Sequence, residues 1–506
     1  MSRVKWLDNA VFYEIYPQSF YDTNGDGIGD INGIIEKLDY ITNLGCNALW
    51  INPCFTSPFF DAGYDISDYY SVAPRYGTNQ DIKRLFEIAH QKNIHILLDL
   101  VPGHTSIEHP WFKESMKAEE NEYTHRYIWS DDVWKEIPGY KTLRGISDRD
   151  GSCVVNYFSI QPALNYGFYE IEDPKWQQPM DAEGPQKSLN EILNIMRFWL
   201  DMGCDGFRID MAEYMIKNDP ERKGTIKFWQ KVLGIIKEEY PNAALLSEWG
   251  TPERSLEAGF DMDFFLHCGN THYLDLFREN PYFSEDGTGN LNAFIENFKK
   301  VYSNTNGKGL MCMPSGNHDM IRISETLSDT QMRLAFAFIL SLPGAPFIYY
   351  GDEIGMKYLN LVSKEGGYFR TGSRTPMQWN SEKNCGFSTA QSDKLYLQQD
   401  PDQNRPTAEQ QMADKSSLWN LIKKLIEVRQ SHECLQSTAK IEFLEWGYPL
   451  IYRRSTAEES ILVIINPQNA PTKVYATGEI LFTIGNANLE NGTCSLDGCT
   501  AVFIEE

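Results

Sequence analysis

No apolar signal core opens this 506-residue chain, whose first eight residues are Met1-Ser2-Arg3-Val4-Lys5-Trp6-Leu7-Asp8. No run reaches the roughly eighteen apolar residues that a membrane-spanning helix needs. From these two absences neither a secretion signal nor a membrane span is expected, and the expectation is a soluble, cytoplasmic protein. Basic residues are scarce: 46 Lys and Arg stand against 70 Asp and Glu, a formal net charge of -24. That balance excludes nucleic acid as a partner, because a polyanion needs a Lys/Arg surface. It also excludes adhesion to anionic membranes. The ten cysteines are scattered, with no C-x-x-C pair. Neither a disulfide framework nor a zinc site is expected.

Apolar and aromatic residues are plentiful. Hydrophobic residues make up 42% of the chain and aromatics 13%. That supports a full core and leaves rings to line a pocket that stacks flat ligand faces. Short apolar runs alternate with amphipathic helical stretches. Strands are expected at 11–16, 48–52, 94–101, up to 210, 244–248, 262–267, 310–314 and 346–350. Helices are expected near 31–44, 79–90, 188–202, 224–239 and 416–431. Eight strands alternating with helices predict an α/β fold, a closed (β/α)8 TIM barrel, with a doubly wound open sheet as the rival. Far too many residues separate the third strand from the next helix for an ordinary loop, so 102–185 should form an inserted subdomain. The barrel then comprises 1–101 and 186–432. After 433 the pattern turns to short alternating runs, which predict a C-terminal antiparallel β-sandwich over 433–506.

The chemistry-bearing residues fall at strand ends, where a barrel places its site. The stretch Gly206-Phe207-Arg208-Ile209-Asp210 puts a cation and a carboxylate two residues apart. Alternate residues of a strand face one side, so Arg208 should hold Asp210 ionised, either as a nucleophile or as an ordinary ion pair. Strand five ends Ser247-Glu248-Trp249, strand three Asp99-Leu100-Val101-Pro102-Gly103-His104, and strand seven is followed by Gly316-Asn317-His318-Asp319. Asp210, Glu248 and Asp319 thus converge from separate strands, with His104 and His318 nearby. Such a set suits a metal site or a glycosidase. In a retaining glycosidase Asp210 would be the nucleophile and Glu248, beside aromatic Trp249, the proton donor. Asp319, His104 and His318 would bind sugar hydroxyls.

Taken together, these motifs resemble the α-amylase superfamily of retaining α-glycosidases, glycoside hydrolase family 13, and most of all its oligo-1,6-glucosidase and α-glucosidase branch. Gln161-Pro162-Ala163-Leu164-Asn165 and Arg374-Thr375-Pro376-Met377-Gln378-Trp379 are similar to segments of that branch. The resemblance implies that Asp210, Glu248 and Asp319 are the catalytic carboxylates. It implies that Asp61, in Asp61-Ala62-Gly63-Tyr64-Asp65-Ile66, binds hydroxyls of the non-reducing sugar while Tyr64 stacks on its face. Arg405, by analogy, supplies a second pocket charge. Gly103 departs from the family's usual Asn, and Met211 and Trp249 occupy positions expected to shape the space beyond the first sugar.

The loop Asp22-Thr23-Asn24-Gly25-Asp26-Gly27-Ile28-Gly29-Asp30 carries oxygen side chains at alternate positions with glycine at the sixth, like the start of an EF-hand loop. Gly33 stands where that motif has glutamate. A structural Ca2+ or Mg2+ is expected on Asp22, Asn24, Asp26 and Asp30, with the Ile28 carbonyl implied by the resemblance. The resulting expectation is an exo-acting, retaining α-glucosidase on short α-glucosides. The alternatives are a transglucosidase or sucrose/trehalose isomerase on the same scaffold, or a non-catalytic sugar-binding or assembly protein.

Overall fold

The computed structural model describes residues 4–266, 271–284, 289–362, 364 and 368–506. Eight parallel strands form a closed barrel: β1 Phe12–Ile15, β2 Ala48–Ile51, β3 His95–Leu100, β4 Gly206–Ile209, β5 Ala244–Ser247, β6 Met262–Phe264, β7 Leu310–Pro314 and β8 Pro346–Tyr349. The rival open sheet is excluded because β1 pairs with both β2 and β8. The sixth strand stops at Phe264, three residues short of the expected end, and His267 lies outside the described residues. The principal helices are α1 Ile31–Leu44, α2 Asn79–Gln91, α3 Glu183–Met202, α4 Lys223–Glu239, α5 Asn292–Thr305, α6 Asp329–Ser341 and α7 Leu418–Ser431. Capping boxes at Thr78/Asp81 and Ser328/Gln331 start α2 and α6 by satisfying N–H groups that have no partner inside the helix. Helix α3 begins earlier than its apolar periodicity suggests, and Pro185 falls in its first turn, where a missing N–H costs nothing. No helix of the described residues is long and apolar enough to cross a membrane.

Strand alternation sorts the core. Phe12, Trp50, Leu97, Leu246, Phe264 and Phe347 fill the barrel, while Tyr13, Ile15, Leu49, Ile51, Ile96 and Leu98 face the helices. Strand β4 follows the same rule: Phe207 and Ile209 join the outer core, which turns Arg208 inward. Gly206 is required at its start. Its φ is +141°, and a Cβ there would come within 1.9 Å of the Ala244 carbonyl oxygen. Register then decides who meets whom. Asp99 lies beside Arg208 across β3 and β4, and Ser247 beside Asp263 across β5 and β6.

Between β3 and α3 the chain forms a short helix, Pro110–Ser115, and a hairpin of Lys141–Leu143 with Cys153–Val155. It has a small core of Ile128, Ile137, Val154, Ala163 and Phe168. The segment after β8 runs through short 3-10 turns, including Tyr368–Ser373. After α7 come two antiparallel sheets of five and three strands.

Candidate active site

At the C-terminal mouth of the barrel a cavity of about 220 Å³ is lined by Asp61, Tyr64, His104, Tyr157, Phe158, Gln161, Asp210, Met211, Glu248, Asp319 and Arg370. The structure therefore brings the three expected carboxylates together, along with Asp61, Tyr64 and His104. Tyr157, Phe158 and Gln161 come from the inserted segment.

Arg208 is buried beneath them. Its Nη1 donates to Asp99 Oδ1 at 2.8 Å and to Asp210 Oδ1 at 2.9 Å, and its Nη2 lies 2.8 Å from Glu248 Oε2. One cation therefore serves three carboxylates. The expectation that Arg208 simply keeps Asp210 ionised needs correction. Burial raises the Asp210 carboxyl well above its ordinary range, the Glu248 charge adds to this, and Arg208 opposes both. Interacting carboxyls titrate as a group, so any proton belongs to the cluster. Met211 ties the pair together: its N–H donates to Glu248 Oε2 at 3.0 Å from a left-handed backbone, φ 45°. Trp249, expected to line the space beyond the first sugar, instead packs inward, its ring edge-on to Phe260.

His318 lies under Asp319 between two acids. Its Nδ1 is 2.8 Å from Glu14 Oε1 and its Nε2 is 3.2 Å from Asp319 Oδ2 and 2.7 Å from the Tyr64 hydroxyl. Burial would lower its pKa, but Asp319 and Glu14 raise it to about 9. Asp319 is held well below the usual carboxylate range. Burial opposes that shift, and His318, Arg370 and Arg374 overcome it. The folded-state pKa of His318 exceeds its ordinary 6.5. Its stabilising contribution is therefore fully present below about pH 6.5 and lost as pH rises through about 9. Wild-type Tm should fall across that window, and His318→Gln should flatten the fall. Tm measured against pH for both proteins checks this.

Asp61 accepts from Arg370 Nη2 at 2.8 Å and from Gln161 Nε2 at 2.8 Å, and Arg370 Nη1 reaches Asp319 Oδ1 at 3.1 Å. The second pocket cation is therefore Arg370. Arg405 is elsewhere, donating to Cys385 Sγ and the Asp402 carbonyl, and does not line the cavity. The analogy failed because, among the described residues, only short 3-10 turns and one six-residue helix punctuate the long segment after β8, and they leave no sequence period from which its path could be counted. Arg370 lies four residues before the Arg374 motif, in the Gly-rich stretch Gly366-Gly367-Tyr368-Phe369-Arg370, and that proximity was the signal available. Arg374 itself bonds Asp319 Oδ1 at 2.9 Å and the His318 carbonyl. Glu14 was also missed, with Asn52, whose Nδ2 donates to Glu14 Oε1 at 3.2 Å. A lone acid inside the apolar run of β1 was the signal for Glu14; Asn52 had none of its own.

His104 is buried, and burial lowers its pKa to about 4. Its Nε2 lies 3.0 Å from the Tyr64 carbonyl and its Nδ1 lies 3.3 Å from Asn156 Nδ2. Both nitrogens are engaged, so a sugar hydroxyl would have to share them. The Gly103 departure has a physical explanation. Asn156 Nδ2 stands 3.0 Å from where a Gly103 Cβ would be and donates to the Gly103 carbonyl at 2.9 Å. An asparagine from the inserted segment thus occupies the space at the strand end.

The catalytic-domain model of α-amylases matches residues 14–438. The chain belongs to the α-amylase family. An oligo-1,6-glucosidase of Parageobacillus thermoglucosidasius is 32% identical to this α-amylase-family chain over 560 residues, covering 96% of it and 95% of the relative. A trehalose synthase/amylase of Mycolicibacterium smegmatis is 32% identical, covering 85% of this chain and 77% of that one. Among solved structures, a trehalulose synthase mutant in complex with Tris superposes with a TM-score of 0.83 at 25% identity, covering 99% of each chain. Family membership makes this chain a glycoside hydrolase of family 13.

The expected metal loop lies apart from the cavity. Asp22 accepts from the amides of Asn24, Gly25 and Gly27 and from Ser388 Oγ. Asp30 accepts from Thr23 and caps α1 through Gly33 N. Asn24 and Asp26 each accept from the amide two residues on. The donor set is all oxygen, which suits a hard divalent cation. Among the described residues no three His, Cys, Asp or Glu side chains converge as a ready-made metal cluster. An ion would therefore have to draw these oxygens inward.

Proposed function

We propose that this chain is an exo-acting, retaining α-glucosidase on short α-glucosides, with Asp210 as nucleophile, Glu248 as acid/base and Asp319 as the third carboxylate. The observation that carries this reading is the shared guanidinium. Two carboxyls held on the terminal nitrogens of Arg208 favour the close spacing of about 5–5.5 Å used for covalent catalysis, rather than the wider gap that admits a water. In this reading Glu248 protonates the glycosidic oxygen as Asp210 attacks the anomeric carbon, and later takes a proton from the water that releases the sugar. Exo-action is supported by Arg370, which bridges Asp61 and Asp319 across the cavity wall. Asp61, Asp319 and Arg370 are the groups that would hold sugar hydroxyls there, with the Tyr64 ring beneath, while His318 lies under Asp319 and does not line the cavity.

A second cavity of about 400 Å³ adjoins the first, sharing Tyr157 and Met211 and continuing to Tyr140, Tyr214, Lys217 and Asn218. It offers room for a leaving group, or for a sugar acceptor. That second use, together with relatives named trehalose synthase and trehalulose synthase, supports the alternative of a glucosyl-transferring isomerase. Separate incubations with maltose, isomaltose, sucrose and trehalose decide between them. Free α-glucose as the first product supports the hydrolase, new disaccharides support transfer, and inversion at the anomeric carbon overturns both.

We also propose that the Asp22–Asp30 loop takes a structural Ca2+ or Mg2+, supported by its alternating oxygen donors. Removing the ion with EDTA should lower Tm by several degrees, restored by excess Ca2+ or Mg2+, while kcat of the folded enzyme stays unchanged. An unchanged Tm would refute this.

A further inference from the structure

Glu248 sits at the end of β5, and its backbone is fixed on the β4 side: its N–H donates to the Ile209 carbonyl at 2.9 Å and its carbonyl accepts from Ala212 N at 3.1 Å. On the other side stands Asp263 of β6, which is fully buried and in register with Ser247. A single oxygen, Asp263 Oδ1, accepts from Ser247 Oγ at 2.7 Å, Trp249 N at 3.1 Å and Gly250 N at 3.4 Å. These donors flank Glu248 before and after. The second oxygen, Oδ2, is buried and makes no hydrogen bond. Packing alone does not require an acid here, because an apolar residue would avoid stranding that oxygen. Burial raises this carboxyl to about 7, a cost that the fold tolerates at this one turn. Ser255 Oγ lies against Ser247 Oγ at 2.5 Å and extends the same chain of bonds.

We propose that Asp263 is a positioning residue for Glu248. It clamps the Ser247–Gly250 turn from the β6 side and thereby sets the aim of the Glu248 carboxyl at the glycosidic oxygen. The inference rests on Glu248 being the acid/base. Its effect should be greatest where the leaving group needs a proton, because a displaced general acid penalises poor leaving groups selectively.

The test compares wild type, Asp263→Ala, Asp263→Asn and Glu248→Gln on two substrates. One is a disaccharide the enzyme turns over. The other is an aryl α-glucoside whose electron-withdrawing ring leaves without protonation. Asp263→Ala should lower kcat/KM on the disaccharide by about 10- to 100-fold and on the aryl glucoside by no more than about threefold. On the aryl glucoside kcat and KM should fall together, because water attack on the glycosyl-enzyme becomes limiting. Asp263→Asn keeps an acceptor in the Oδ1 position and should recover most of the loss. If Asp263→Ala does not fold, Asp263→Leu, which keeps the branched shape at Cγ, though bulkier, and offers no acceptor, carries the same comparison. Equal losses on both substrates, or no loss, overturn the inference. If Glu248→Gln itself fails to separate the two substrates, the acid/base reading falls too. If Glu248→Gln separates them and Asp263→Ala does not, only the present inference falls.

Discussion

Asp210→Asn should reduce turnover of an aryl α-glucoside by on the order of 10⁴-fold or more, the size expected when one member of a concerted catalytic unit is removed. The amide can still accept from Arg208, so the cavity should keep its shape. Stability should move the other way. Burial and Glu248 raise the Asp210 carboxyl well above its ordinary range in the folded protein, so its ionised form opposes folding at neutral pH. Removing that charge leaves Arg208 with Asp99 and Glu248 alone, and Tm should hold or rise. Initial rates together with a thermal melt check both halves. Near-normal rates would remove Asp210 from the nucleophile role, and a collapsed melt would show that the loss is one of folding.

Arg370→Ala should raise KM and lower kcat/KM, because it leaves Asp61 and Asp319 facing each other across the cavity without their shared cation. Truncating one partner of a buried, hydrogen-bonded charge set costs about 2–5 kcal/mol, roughly 30-fold or more in kcat/KM. Asp319 retains Arg374 and His318, so the loss should fall mainly on Asp61, which keeps its bond from Gln161. Arg405→Ala should leave both constants within about twofold, because its guanidinium binds Cys385 and the Asp402 carbonyl outside the cavity. Steady-state kinetics on one substrate with both variants settles which arginine belongs to the site. The opposite pattern would restore Arg405.

Much of the site was legible because barrel strands have a two-residue period and end at one mouth. Asp210, Glu248 and Asp319 could be placed together from strand ends alone, and Arg208 could be turned to the same side as Asp210 by counting. What counting could not show is how many partners Arg208 has. Asp99 is its neighbour only through the β3–β4 register, and Glu248 reaches it from the next strand. The sequence view paired one cation with one acid and so missed that Asp210 shares Arg208 with Asp99 and Glu248. Asn156 was invisible in the same way. It fills the space beside Gly103 from more than fifty residues away, and no local pattern marks it.

By itself the sequence determined the barrel, the inserted and C-terminal segments, and the meeting of Asp210, Glu248 and Asp319 at the barrel mouth. Periodicity, turn residues and strand-end position are local properties, written within a few residues of each group. Only the tertiary structure decided that Arg370 rather than Arg405 enters the cavity, that His318 is held charged between Glu14 and Asp319, and that Asp263 grips the turn carrying Glu248. These depend on register between strands and on the path of long connecting segments. Hydrogen bonds across the barrel fix them, and hydrophobic pattern does not.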